Sequence, residues 1–140
     1  MAGDRVFVDT NVLVYALDVS AGEKHAAARR FLDSLWEQRN ACVSVQVLQE
    51  LHVTLTQKVA VPVGADISRQ LVDSLCSWRV HHPTCADVAL AIELQGTAHL
   101  SFWDAMILIS AASMECSRLL SEDLNPGQRY GSVTVVNPFV

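Results

Sequence analysis

The sequence predicts an α/β fold in which helices cover both faces of a parallel sheet. Three observations point to it. Short strand-like runs alternate with longer helix-like segments along the chain, and the first of these runs, Val6–Val8, is apolar throughout, as a buried strand is. Hydrophobic residues make up 51% of the 140 residues, enough for a core on each side of a sheet. Because parallel neighbours need crossover connections, we expect three layers and one domain over residues 1–140.

The first half of the chain contains two predicted strand and helix units. Val6–Val8 is a β-branched and aromatic run that ends at polar residues, as a buried strand does. A helix is expected over residues 23–36. Residues 42–45 then form the second predicted strand and residues 46–58 the next helix, before Pro62 breaks the pattern.

The second half continues the alternation. Asp66 is expected to cap a helix that ends near Trp78, and residues 79–81 to form a brief strand. Thr84 and Ser101 each begin the sequence pattern of a capping box, followed by helices. The last two strands are expected at residues 118–121 and 133–136.

Several classes of site and location are disfavoured by the sequence. Five histidines show no spacing typical of a zinc site. Four cysteines without C-x-x-C spacing lie in apolar surroundings, so we expect buried, reduced thiols at Cys42, Cys76, Cys85 and Cys116. The charged N-terminal residues do not fit a signal peptide, and no apolar run approaches the roughly 20 residues that span a bilayer. We expect a soluble cytoplasmic protein without a membrane partner.

The charge balance bears on a nucleic-acid partner. Fifteen acidic residues against ten basic ones give a net charge of −5, which argues against phosphate binding unless acids converge on a metal ion. Among the basic residues, Arg29, Arg30 and Arg129 are the candidate RNA contacts. Spaced arginines are more often solvated surface charges, and that alternative stays open.

Two acids lie at the carboxyl ends of predicted strands. Asp9 comes after Val6–Val8, and Asp123 comes shortly after Leu119–Leu120. Ligands of open parallel sheets bind beyond the carboxyl ends of the strands, so these two acids should meet if their strands are neighbours. Taken alone, either acid could instead cap the next helix.

Two further acids lie on predicted helices. Asp104 occupies the acidic position of the Ser101 capping box, and Glu50 lies beside an apolar stripe where it could simply be exposed. As a set, acids at two strand ends and on two helices could converge on one rim. Their carboxylate oxygens suit Mg²⁺ or Mn²⁺.

Four segments carry a resemblance to a known family. In chain order they are FVDTNVLVYALD, SVQVLQEL, LSFWDAMIL and LLSEDLNPGQRYGSVTVVNPF. Together they resemble the signature regions of the PIN domain, particularly its bacterial VapC toxin branch. The resemblance extends over almost the whole chain.

The resemblance implies a fold and a set of site residues. The family fold is a parallel five-stranded sheet flanked by helices. The metal-binding and catalytic positions correspond to Asp9, Glu50, Asp104 and Asp123, and the supporting polar positions to Thr10, Asn11 and Ser121. Glu122 adjoins Asp123, and the sequence leaves open which of the two faces the metal.

The resemblance also implies an activity and partners. PIN domains of this branch resemble one another as Mg²⁺- or Mn²⁺-dependent endoribonucleases, which suggests metal-assisted hydrolysis of RNA by the toxin of a type II toxin–antitoxin pair. The expected partners are the RNA substrate, a cognate antitoxin protein that places an Arg or Lys against the carboxylates, and a second copy in a homodimer. A non-catalytic interaction module with the same fold is the alternative.

Overall fold

The structure, a computed structural model, describes residues 4–140, so residues 1–3 of the expected domain lie outside the described residues. The strands are β1 Val6–Val8, β2 Ala41–Ser44, β3 Arg79–His81, β4 Arg118–Leu120, β5 Arg129–Tyr130 and β6 Val133–Val136. The α-helices are α1 Thr10–Leu17, α2 Glu23–Gln38, α3 Val45–Val53, α4 Ala65–Leu75, α5 Cys85–Ala98 and α6 Phe102–Ser113. A 3₁₀ turn at Val19–Ala21 follows α1, and a π-helical turn at Thr54–Lys58 extends α3.

The strands form one sheet in the order β3-β2-β1-β4-β6-β5. Five strands run parallel, but β5 is antiparallel to β6, so the expected sheet of five parallel strands is wrong by one strand. The physical reason is the short connection after β5. Only Gly131 and Ser132 separate β5 from β6, which is a hairpin length and far too short for a crossover. Gly131 has φ of 61°, a conformation that such turns require and that glycine adopts without strain.

The helices flank this sheet in two groups. Helix α1 packs against α2 and α3, α3 packs against α4, and α5 packs against α6. The strand order reverses at β1, because the chain proceeds outward from β1 to β3 and then returns to β4. Right-handed crossovers therefore place α1–α4 on one face and α5–α6 on the other, as the predicted three layers require. No helix within residues 4–140 combines the length and the apolar character needed to cross a membrane.

Central strands β1 and β4 are the core of the molecule. All three residues of β1 are at most 1% exposed, and Leu119 and Leu120 of β4 are equally buried. These strands lie side by side, with Val8 level with Leu120. The residues that follow them, Asp9 and Ser121, are therefore placed next to each other at a buried sheet edge.

Several local expectations need correction. Helix α4 begins at Ala65 with Gly64 as its N-cap, so Asp66 lies in the first turn, where its charge still favours the helix N-terminus. The same helix ends at Leu75, short of Trp78. Cys42 and Cys116 are buried as expected, but Cys76 and Cys85 are exposed, since each lies at a helix end on the surface.

Candidate active site

A cavity of about 490 Å³ opens at the carboxyl edge of the sheet, where β1, β2 and β4 end and α1, α3 and α6 begin or pass. Its lining includes all four of the acids singled out in the sequence: Asp9, Glu50, Asp104 and Asp123. Strand ends supply two of them, and helices the other two. The predicted adjacency of Asp9 and Asp123 follows from the pairing of β1 with β4.

Asp9 is held from three directions. Its backbone N–H donates to the carbonyl of Leu120 at 2.9 Å, which extends the pairing of β1 with β4. Its Oδ1 accepts from the Thr10 backbone N–H at 2.8 Å, and its Oδ2 accepts from Ser121 Oγ at 2.8 Å. Asp9 is the N-cap of α1 and also lines the cavity, so capping and a functional role are compatible at this residue.

The electrostatic state of Asp9 is unusual for an aspartate. Burial raises its pKa from 3.8 to about 7, against the lowering effect of the hydrogen bonds from Ser121 and Thr10. The negative charges of Asp123 and Glu50 raise the pKa further. The surroundings of Asp9 therefore compensate the negative charge of its carboxylate poorly. A cation-binding position has this property, because the cation supplies the missing positive charge.

Glu50 is held on α3 by a short network. Thr10 Oγ1 donates to Glu50 Oε1 at 3.1 Å, and Gln46 Nε2 reaches the same oxygen at 3.4 Å. Gln46 Nε2 also donates to the Trp103 carbonyl at 3.3 Å, which ties α3 to the start of α6. Glu50 is thus half-buried and oriented, which disfavours the simple exposed position.

Asp104 forms only half of the expected capping box. Ser101 Oγ accepts from the Asp104 backbone N–H at 3.1 Å, and the described residues contain no reciprocal bond from the Asp104 carboxylate. In the other predicted box, Thr84 and Asp87 make both bonds. The Asp104 side chain is consequently available to the cavity that it lines.

Asp123 completes the set. Its backbone N–H donates to Ser121 Oγ at 3.2 Å, so the same hydroxyl contacts Asp9 and Asp123. Burial raises the pKa of Asp123, and the charges of Asp104 and Glu122 add to the rise, whereas the nearby Asn11 side chain lowers it. Charge repulsion therefore links Glu50 to Asp9, Asp9 to Asp123, and Asp123 to Asp104 in one chain.

The neighbouring Glu122 is engaged elsewhere. Lys24 Nζ forms an ion pair with its Oε2, and the Tyr15 hydroxyl donates to its Oε1 at 2.9 Å. Burial opposes ionisation, but the bonds from Lys24 and Tyr15 hold the pKa of Glu122 below its usual value. Glu122 is also absent from the lining of the cavity, so Asp123 is the member of this pair that faces it.

The candidate RNA contacts lie away from this cavity. Arg29 is exposed on α2 and pairs with Asp33 at 3.2 Å, Arg30 is exposed beside it, and Arg129 begins β5; none lines the cavity. Among the charged residues that line it, sequence reasoning missed two, the cation Lys58 and the acid Asp18. Lys58 is the last residue of the π-helical turn, and its place at the cavity depends on how the chain folds rather than on any sequence pattern.

We asked whether these residues fit a divalent metal ion. Within the described range 4–140, no three His, Cys, Asp or Glu side chains converge tightly enough to form a ready metal-binding group. The donors are nevertheless all oxygens, and their charges are uncompensated, which suits a hard cation such as Mg²⁺. Mg²⁺ keeps several waters and needs only one or two carboxylates, so the spacing is compatible with such an ion.

Comparison with known proteins assigns the chain to a family. The sequence matches the PIN domain family over residues 6–129, and the chain belongs to that family. A comparison with curated protein sequences gives no significant match.

Solved structures share the fold at low sequence identity. The toxin VapC20 of Mycobacterium tuberculosis, described as cleaving the sarcin–ricin loop, is 19% identical with a TM-score of 0.65, over 84% of this chain and 89% of that one. The structure of FitAB bound to the DNA fragment IR36 is 18% identical in sequence, with a TM-score of 0.71 over 96% of each chain. A toxin–antitoxin complex from Klebsiella pneumoniae is 19% identical, with a TM-score of 0.69 over 95% of this chain and 97% of that one.

Replacing Asp104 by Asn distinguishes a helix cap from a cavity carboxylate. Losing an acid that only favours the helix N-terminus should cost about 0.3–1 kcal/mol of stability. Relieving repulsion between Asp104 and Asp123 should instead gain up to roughly 3 kcal/mol for charges about 5 Å apart at an effective dielectric near 20. We expect Asp104→Asn to melt higher than wild type in EDTA and to gain less from added Mn²⁺, measured by thermal unfolding. A lower melting temperature with the full Mn²⁺-induced shift would make Asp104 a cap alone.

Proposed function

We propose that this PIN-domain protein is a metal-dependent endoribonuclease whose catalytic carboxylates are Asp9, Glu50, Asp104 and Asp123. The observation that carries the proposal is the gathering of all four on one cavity at the carboxyl edge of the sheet. Structural acids seldom cluster without cationic partners, because like charges at close range repel one another. Membership of the PIN family supports a nuclease activity for such a cavity.

The roles follow from the contacts of each residue. Asp9 and Asp123, which share contacts with the Ser121 hydroxyl, would hold Mg²⁺ or Mn²⁺ together with Glu50 and Asp104, which line the same cavity. The bound ion would offset charge developing on the phosphate and make a water easier to deprotonate.

The supporting residues orient these carboxylates and set the local charge. Thr10 fixes both Asp9, through its backbone N–H, and Glu50, through its hydroxyl. Asn11 accepts from the Glu122 backbone N–H at 3.5 Å, which fixes the turn that carries Asp123. Lys58 adds a positive charge to the rim, where it would attract the phosphate backbone of RNA.

We infer that the biological role is that of a toxin in a type II toxin–antitoxin pair. Two of the similar structures are described as a toxin that cleaves the sarcin–ricin loop and as a toxin–antitoxin complex, which supports this inference. A cognate antitoxin would block the cavity most effectively by placing an Arg or Lys against Asp9 and its neighbours, since a cation there relieves their repulsion. We further propose that the chain acts as one nuclease domain in a cytoplasmic homodimer.

Sequencing of RNA ends after brief expression tests this proposal. Wild-type protein should produce new RNA ends and arrest growth, whereas Asp9→Asn should produce neither because the central carboxylate is lost. Asp73→Asn serves as the matched control, since Asp73 is an exposed acid paired with Arg69 on α4, away from the cavity. New ends that appear equally with Asp9→Asn would exclude the cavity as the source of cleavage.

A further inference from the structure

Half of the ten basic residues lie at the edge of the sheet opposite the acidic cavity. Four of these five residues lie at or just before the amino end of a parallel strand. The fifth lies in antiparallel β5, beside the amino end of β6. Arg118 is level with Val6 on one side and with Thr134 on the other, and Thr134 is level with Arg129. Across the sheet, the row comprises Arg79, Arg39, Arg5, Arg118 and Arg129.

In the described part of the chain, no acid lies close enough to this row to form an ion pair. Within residues 4–140, the ion pairs shorter than 4 Å involve Lys24, Arg29, Arg69 and His81, so the five arginines of the row have none. Acids do occur at this end, at Asp4, Glu37 and Glu115, but without an ion pair to the row. In a protein of net charge −5, this row is the main concentration of uncompensated positive charge.

Two tryptophans adjoin one end of the row. A cavity of about 630 Å³ is lined by Trp36, Trp78, Arg39 and Arg79, among others. The two indole rings lie 5.1 Å apart at a tilt of 59°, and Trp36 is 42% exposed. The indole N–H of Trp78 is buried and has no hydrogen-bond partner in the described part of the chain. An exposed aromatic face beside an unsatisfied donor and two guanidinium groups indicates a binding site.

The backbone at Arg39 supports this interpretation. Arg39 ends α2 in the left-handed conformation, with φ of 56°, where glycine is the usual residue. Its carbonyl accepts from Arg79 Nη1 at 3.0 Å, which holds the second guanidinium at the cavity.

We propose that this cavity binds a nucleotide of single-stranded RNA, with the base stacked on Trp36 and the phosphates on Arg39 and Arg79. Stacking on an aromatic face together with arginine contacts is the chemistry by which proteins bind single strands without sequence preference. An acidic peptide would use the arginines but would leave the indole face without a role. The tryptophan cavity lies at the amino ends of the strands, whereas Asp9 lies at their carboxyl ends. The three residues of β1 alone separate these two ends by about 10 Å. The tryptophan cavity is therefore a second contact for RNA, and its binding does not require the proposed cleavage.

The test measures fluorescence anisotropy of a labelled 2′-O-methyl oligouridine, which resists cleavage, in EDTA. Arg39→Gly removes the guanidinium and suits the left-handed backbone, so the variant should fold at least as stably as wild type. We expect weaker binding and a salt dependence of log K that is shallower by about 0.7, the value for one phosphate contact on a single strand. Trp36→Ala should weaken binding by about 5- to 150-fold, as the loss of one stacked base does.

His99→Gly is the matched control. His99 ends α5 in the same left-handed conformation, with φ of 55°, and does not line the Trp36 cavity, so its replacement should leave oligonucleotide binding unchanged. Unchanged affinity in both Arg39→Gly and Trp36→Ala would overturn the proposal. Equal binding of polyglutamate, insensitive to Trp36→Ala, would also overturn it and would indicate an acidic protein partner. Neither result would bear on cleavage at the acidic cavity.

Discussion

Asp9→Asn should raise the free energy of unfolding at pH 8 by a few kcal/mol when metal is absent. The pKa of Asp9 is 3.8 in the unfolded chain and about 7 in the folded protein. Between these values the folded protein holds a proton that the unfolded chain has lost. The stabilisation from Asp9 is therefore fully present below about pH 4 and is lost as the pH rises through 7. At about 1.4 kcal/mol per pKa unit, the loss approaches roughly 4 kcal/mol.

The amide can replace the protonated acid in this environment. Its oxygen still accepts from the Thr10 backbone N–H, and the Ser121 hydroxyl can turn to accept from the new NH₂ group. The neutral side chain has no ionisation to disfavour, so the loss of stability that Asp9 causes between pH 5 and pH 8 should be absent from the variant. The gain from removing the buried charge should exceed the small cost of an altered hydrogen bond.

Urea unfolding of wild type and Asp9→Asn at pH 5 and pH 8, both in EDTA, measures this effect. The difference between the two proteins should grow as the pH rises. Asp87→Asn is a control of opposite sign, since a hydrogen bond from the Thr84 backbone chiefly lowers the pKa of Asp87, and its loss should destabilise the protein at pH 8. If wild type and Asp9→Asn differ equally at both pH values, Asp9 is not a buried acid under repulsion.

RNA cleavage should fall at least about 10²-fold in Glu50→Gln and in Asp123→Asn. A bound ion contributes several kcal/mol to stabilising charge in the transition state, and each 1.36 kcal/mol is a factor of ten in rate. Removing one negative charge from the metal site weakens the binding of the ion and holds the ion less firmly in place. Asp73→Asn should cleave at the wild-type rate, because Asp73 is exposed and paired on α4. Wild-type rates in both cavity variants would remove these two residues from the site.

The sequence predicted the architecture of the site better than its details. Strand β1 is a buried apolar run that ends at a polar residue, and parallel strands end at one edge, so the meeting of Asp9 with Asp123 could be anticipated. The assignment between Glu122 and Asp123 could not be made, because it depends on Lys24 and Tyr15, which approach from α2 and α1.

Other features were hidden because their pattern is too short or too uniform. Helix α1 was not predicted, since its sequence is apolar on nearly every side and most of it is buried. Strand β5 has only two residues, which no periodicity reveals. The Ser101 pattern predicted a full capping box, but only the bond from the Asp104 backbone N–H to the Ser101 side chain is present. The same residue pattern gives this single bond when the carboxylate of the acid faces a cavity instead.

Cleavage of RNA by the purified protein, with Mn²⁺ and then with EDTA, tests most directly whether the acidic cavity is a metal-dependent nuclease site. Wild type should cleave a single-stranded RNA with Mn²⁺ or Mg²⁺, lose the activity in EDTA, and regain it when Mn²⁺ is restored in excess. Asp9→Asn, purified in parallel, should be inactive throughout and would expose any contaminating nuclease. Undiminished cleavage by pure wild-type protein in EDTA, or equal cleavage by Asp9→Asn, would contradict the proposed mechanism.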